Sequence, residues 1–202
     1  MLLESLSEGC SWEVLAVASA LQVRDLFHKP RGSRRPQEVL DYEAALAQIS
    51  DRSGDHVTYA NLFSEMDDRG VDNERCKELF VNQVSLRRGL EVRNHLARFL
   101  KRFGKVQALG VVDGDGRARS QAIRRCVSAG FFFNVAKLGN DGRYYTLRKR
   151  MLVSPTLCSK VNSDTLSIIG SEYIVFGETI DGGVRGGIEL RHVSSIEAKW
   201  LR

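Results

Sequence analysis

The spacing of apolar residues changes period once along this chain, near residue 140, and that change constrains the fold more than any single motif. From residue 1 to about 138 apolar positions recur at helical intervals; from about Gly142 onward they fall in short β-rich runs. Helices followed by strands, rather than alternating with them, predict an α+β architecture: an N-terminal helical bundle, then a small β-barrel or sheet module. The 202 residues are 43% apolar and 27% charged, which suits one large or two small cored domains and not a disordered chain. No apolar run approaches the roughly 20 residues that cross a bilayer, and Glu4 and Glu8 interrupt any N-terminal signal peptide. A soluble, intracellular protein without membrane partners is expected.

Within the helical part, Leu15, Ala18 and Leu21 form a short stripe, which the basic, proline-bounded stretch from His28 to Pro36 ends as an exposed loop. Val39, Tyr42, Leu46 and Ile49 resume helical spacing, and Thr58–Met66 does so again after Ser53-Gly54-Asp55. The best helix is expected from Asp72 to about Phe103, a long stretch without proline. Its Val92, Leu96, Phe99 and Phe103, spaced four, three and four, predict a buried stripe. At about 100° per residue, Arg87, Asn94, Arg98 and Lys101 then lie opposite, with Arg88 and Arg93 flanking. Such a basic face is either a solvated surface or a track for nucleic-acid phosphates. A further helix is expected from about Ser120 to Leu138, with Ile123, Cys126, Val127, Phe131, Val135 and Leu138 on one face. Gly130 beside Phe131, Phe132 and Phe133 reads as close packing, because glycine permits tight approach and aromatic rings fill a core, and not as a nucleobase-stacking site, because three consecutive helical positions point in different directions.

Six strands are expected: Tyr144–Leu147, Met151–Val153, Thr165–Ile169, Tyr173–Phe176, Gly187–Leu190 and His192–Ile196. Arg148, Lys149 and Arg150 fall at a hairpin tip between the first two, where three cations project together into solvent. The charge is uneven as well. Residues 1–103 carry 15 Lys/Arg against 16 Asp/Glu, whereas residues 104–202 carry 15 against 9. A basic module attracts phosphate backbones by releasing condensed counterions.

Several chemistries lack their residues. The four cysteines and four histidines are scattered, with neither CxxC pairs nor zinc-ligand spacing. Asp113-Gly114-Asp115-Gly116 opens like a calcium loop, but Arg117 follows and no bidentate Glu comes at the required distance. No GxxxxGK[ST] run cradles a nucleotide phosphate, and no nucleophile and base are brought together by spacing. No catalytic residue is expected in this chain.

Motifs in fixed order carry more. Gly9-Cys10-Ser11 with Val14-Leu15 comes first, then Gly54-Asp55-His56-Val57-Thr58, then Cys76 and Phe80, Ser85-Leu86-Arg87-Arg88, and Val92-Arg93. Ala129-Gly130-Phe131-Phe132 and Asn134-Val135-Ala136 complete the series. Together they resemble the C-terminal auxiliary region of DEAH-box ATP-dependent RNA helicases over nearly the whole chain. The resemblance extends into the β part through Tyr145-Thr146-Leu147, Val175-Phe176 with Glu178, and Ile196-Glu197 with Trp200-Leu201. It breaks at Ser154-Pro155-Thr156-Leu157, where the family usually has His-Pro-Ser-Ser, and at Gly182–Gly187.

The resemblance implies a ratchet-like helicase-associated helical domain over residues 1–140 and an OB-type β module over 141–202, which together close over RNA leaving two RecA-like motors. It implies single-stranded RNA as ligand, with Ser85, Arg87, Arg88, Arg93, Arg98, Arg148, Lys149 and Arg150 as contacts. Helicase motor domains in cis or trans and a glycine-rich (G-patch) activator are the implied protein partners. Pre-mRNA or ribonucleoprotein remodelling in the nucleus or between nucleus and cytoplasm is the implied role. No cofactor is expected here, since ATP and magnesium belong to motor domains that do not precede Met1. A C-terminal piece, a split product or a motor-less relative all fit that expectation. The alternative function is a motor-less interaction module that docks an activator or a helicase subunit.

Overall fold

The computed structural model describes residues 1–30, 36–104, 109–112, 115–156, 170–181 and 187–201. Among these, seven helices precede five strands: α1 (Glu4–Ser7), α2 (Ser11–Ala20), α3 (Pro36–Ala47), α4 (Asp55–Arg69), α5 (Asn73–Glu78), α6 (Gln83–Gly104) and α7 (Gly116–Gly130), then β1 (Val135–Leu138), β2 (Tyr144–Thr146), β3 (Leu152–Pro155), β4 (Tyr173–Asp181) and β5 (Ile188–Ile196). A short 3-10 turn, Ala198–Trp200, follows. The α+β order inferred from the change of period is the order observed.

Apart from Glu13, helix α2 is apolar or small on every side, so it must lie inside, and nine of its ten residues are buried. Helices α4, α6 and α7 pack around it. Ala16, Leu46, Leu62, Phe63, Leu79 and Leu86 meet in the main helical core. The strands close into a barrel in the order β1-β2-β3-β5-β4, with β4 pairing back onto β1. Every pairing is antiparallel except β3 with β5, an OB-like arrangement. Tyr144, Val153, Ile174, Phe176, Leu190 and Val193 fill its interior. A separate cluster, in which Val57, Ala60, Ile123 and Val127 meet Val135, Val175 and Ile196, joins helices to barrel.

Several expected elements are corrected, first the helix from Asp72 to about Phe103, which is divided into α5 and α6. The helix expected to reach Leu138 stops at Gly130, and Val135–Leu138 is a strand paired with both β2 and β4. Phe131, Val135 and Leu138 happen to sit at helical spacing, but the β-branched Val135 finds a ladder opposite Val175, and tertiary pairing overrides the local period. Gly130 does sit in close contact, since a Cβ there would lie 2.5 Å from that of Met1. The packing role expected of the phenylalanines fails for two of three: Phe132 and Phe133 are 56% and 57% exposed. Ile188–Leu190 and His192–Ile196 belong to one strand, with the expected Gly187 just before it, and Tyr173–Phe176 is the first half of a longer one. The expected strand Thr165–Ile169, the loop residues 31–35, Asp113-Gly114 and residues 182–186 of the divergent glycine stretch lie outside the described residues. Asp115 caps α7, accepting from the Ala118 amide at 2.8 Å.

Candidate nucleic-acid interface

Helix α6 positions most of the sequence-predicted contacts. Asn82 starts it, its side-chain oxygen accepting from the amides of Val84 and Ser85 at 3.1 and 3.2 Å. The inward residues are Leu86, Gly89, Arg93, Ala97 and Leu100, not the expected Val92, Leu96, Phe99 and Phe103. Val92 and Leu96 are half-buried, while Phe99 and Phe103 are 53% and 62% exposed and stack on each other, ring centroids 4.2 Å apart. The real stripe was hidden because small and charged residues occupy it. Gly89 allows Phe63 to approach so closely that a Cβ would lie 2.9 Å from its ring.

Arg93 is the second concealed member. It is 3% exposed, pairs through both terminal nitrogens with the Asp67 carboxylate, and lies 4.3 Å from the centroid of the Trp12 ring. Trp12 Nε1 donates to the same carboxylate at 3.0 Å. The guanidinium thus braces α2, α4 and α6 against one another, and its placement as a flanking RNA contact is corrected to an interior one. Ser85 is likewise engaged internally, its hydroxyl donating to the Arg24 carbonyl at 2.9 Å.

Arg87, Arg88 and Arg98 are exposed, and none holds an ion pair among the described residues. At 100° per residue Arg88, His95, Arg98 and Arg102 share one outward arc with Glu91 as its only acidic member. His95 and Arg102 were not singled out from the sequence; once the stripe is phased on Leu86, Gly89, Arg93, Ala97 and Leu100, the period selects them.

The second group, Arg148, Lys149 and Arg150, is exposed in the turn between β2 and β3. The turn is closed by the Arg150 amide donating to the Thr146 carbonyl at 2.9 Å and the Thr146 amide to the Met151 carbonyl at 3.0 Å. Arg148 lies over the Phe133 ring at 4.7 Å. Other C-terminal cations are used for structure: Arg119 meets Glu13 and Asn61, and Arg124 donates to the Ser195 carbonyl at 3.0 Å. The basic excess of this half is therefore not all available to a ligand.

The Gly54-Asp55-His56-Val57-Thr58 segment fastens helices to barrel. Asp55 Oδ2 accepts from the Val193 amide at 3.0 Å, and Ser194 Oγ lies 2.8 Å from His56 Nδ1. Gly54 has φ 132°, and a Cβ there would lie 2.3 Å from the Val193 carbonyl oxygen, so only glycine fits. Burial, with His192 nearby, lowers the His56 pKa to about 3. Among the described residues no cluster of three His, Cys, Asp or Glu side chains is arranged to hold a metal, and no helix is long and apolar enough to cross a membrane.

A helical body braced by the buried Arg93 is joined to a closed OB-like barrel, and the comparisons set this chain beside the auxiliary region of DEAH-box RNA helicases: residues 1–59 match the helicase associated domain (HA2), ratchet-like. Over 99% of its length the chain is 30% identical to the "Probable ATP-dependent RNA helicase DHX35 homolog" of Caenorhabditis elegans, of which it covers 25%. It is 28% identical to a Schizosaccharomyces pombe protein named as a pre-mRNA-splicing factor ATP-dependent RNA helicase, covering 28% of it. Against the human "Probable ATP-dependent RNA helicase DHX35" the identity is 27%, with 26% covered. The chain thus spans about a quarter of the length of these relatives.

Proposed function

We propose that this chain forms the RNA-channel and regulatory part of a DEAH-type helicase, holding single-stranded RNA by its phosphates while motor domains, in cis or in trans, hydrolyse ATP. The observation that carries the reading is the exposed face of α6, where Arg88 and Arg98 stand on the outward arc and Arg87 beside its edge, on a helix whose other side is fixed to the core. Guanidinium groups held on a rigid element suit a backbone that offers one charge per nucleotide. No catalytic group is assigned to the chain itself. The role proposed is pre-mRNA or ribonucleoprotein remodelling in the nucleus or between nucleus and cytoplasm, supported by the Schizosaccharomyces pombe relative, which is named as a pre-mRNA-splicing factor. Arg87→Ala is expected to weaken single-stranded RNA binding and flatten the salt dependence by about 0.7 per lost charge. Unchanged affinity and slope exclude Arg87 from the interface.

The exposed Phe99–Phe103 stack favours a second reading, a module that docks a motor subunit or a G-patch activator. Partners recovered from extract after nuclease treatment support docking; their loss supports an RNA tether.

A further inference from the structure

We infer that the turn between α7 and β1 carries a nucleobase-stacking subsite, a ledge made by Phe132 and Phe133 and flanked by Arg148 of the β2–β3 hairpin. The inference rests on the RNA-binding reading above and adds to it a contact to bases rather than phosphates. Phe132 and Phe133 do not sit on a helix, where neighbours diverge; they follow its last residue, and their ring centroids lie 3.9 Å apart. Both rings are more than half exposed. Two large aromatic side chains held together in water are costly to leave uncovered, and the guanidinium of Arg148 lies over only the Phe133 ring.

Beside the ledge is an open hollow of about 440 Å³ whose lining includes Phe133, Arg148, Lys149, Met151 and Glu178. That volume lies within the range of small-ligand sites. Its charges sort a nucleotide by parts. Glu178 repels a phosphate from within but accepts from the amino or imino edge of a base, while Lys149 and neighbouring Arg150 at the rim attract the phosphates on either side. A base inserted against Phe133 must be unpaired, so the ligand is single-stranded RNA. Aromatic stacking tolerates any base, since each has a π-face.

The test uses the 202-residue chain and a short single-stranded RNA carrying 2-aminopurine, followed by anisotropy and by quenching of the probe. Phe133→Ala is expected to weaken binding about 5- to 150-fold and to abolish quenching, the range that stacking of one base supports. The slope of affinity against salt should stay unchanged, because no charge is removed. Phe133→Tyr should retain both signals. With the unaltered chain, the same RNA made abasic at the probe position should bind more weakly than the 2-aminopurine RNA by a similar factor, a comparison that does not depend on the variant folding. If RNA binds with its salt dependence while Phe133→Ala and the abasic RNA lose nothing, the stacking subsite is overturned and the phosphate-binding reading stands; a ledge that serves a protein partner gives this result. If the unaltered chain shows no salt-sensitive RNA binding, the proposed function itself fails, and the subsite with it.

Discussion

Arg93 and Arg87 lie six residues apart on one helix, carry the same side chain, and are used in opposite ways. Arg93 is enclosed between Trp12 and Asp67, whereas Arg87 stands in solvent. Nothing local distinguishes them, because the partner that allows Arg93 to be buried is 26 residues upstream. Removing one member of a buried pair strands the other in low dielectric. Asp67 is itself about one-third exposed, so the lower end of the range applies: Arg93→Ala and Asp67→Ala should each cost about 3 kcal/mol. Urea denaturation should show a lowered midpoint at constant slope, and Arg93→Ala should leave the salt dependence of RNA binding as it was. His56 supplies a second prediction at this scale. Its pKa falls from 6.5 unfolded to about 3 in the folded protein. Between these values the unfolded state binds more protons, so stability rises with pH through the window and is fully present above about 6.5. Each unit of acidification inside it should remove up to about 1.4 kcal/mol for this group. His56→Gln should reduce the slope of stability against pH between 4 and 6, a range read by denaturation at successive pH values; an unaltered slope contradicts the assignment.

At the scale of elements, the helical period located α6 but phased it wrongly. Counting only large apolar residues selected Val92, Leu96, Phe99 and Phe103, while the buried line uses Gly89, Arg93 and Ala97 to bring three helices close. The same counting carried the preceding-strand residues Val135 and Leu138 into a helix, because the period of a four-residue strand is too short to compete with a coincidental spacing of four and three. By contrast the hairpin was legible, since strand pattern, charge and turn agreed on residues 148–150. The corrected phase makes opposite predictions for two positions. Gly89→Ala should cost about 1–3 kcal/mol by forcing a methyl group against Phe63, whereas Phe99→Ala should change stability by no more than about 0.5 kcal/mol. Thermal denaturation of both variants checks the phase directly. Serine at Arg148, Lys149 and Arg150 together should leave the melting temperature nearly unchanged while reducing RNA affinity most at low salt.

For the whole molecule, the Gly54–Thr58 segment shows why a motif recognisable in sequence need not touch a ligand. Its glycine admits β5, its aspartate and histidine bind that strand, and so the basic face of α6 and the hairpin tip belong to one framework. Gly54→Ala, strained by its φ and by the Val193 carbonyl, should lower the melting temperature and begin to separate the unfolding of helices from that of the barrel. The central claim is that this framework presents α6 to the phosphates of single-stranded RNA. Its most direct test is the slope of log affinity against log salt for the chain and for a variant carrying Arg87→Ala, Arg88→Ala and Arg98→Ala together. With the melting temperature preserved, the slope should become shallower by about 2, three lost charges at about 0.7 each. An unchanged slope, with RNA still bound, would contradict the account and assign the phosphate contacts elsewhere.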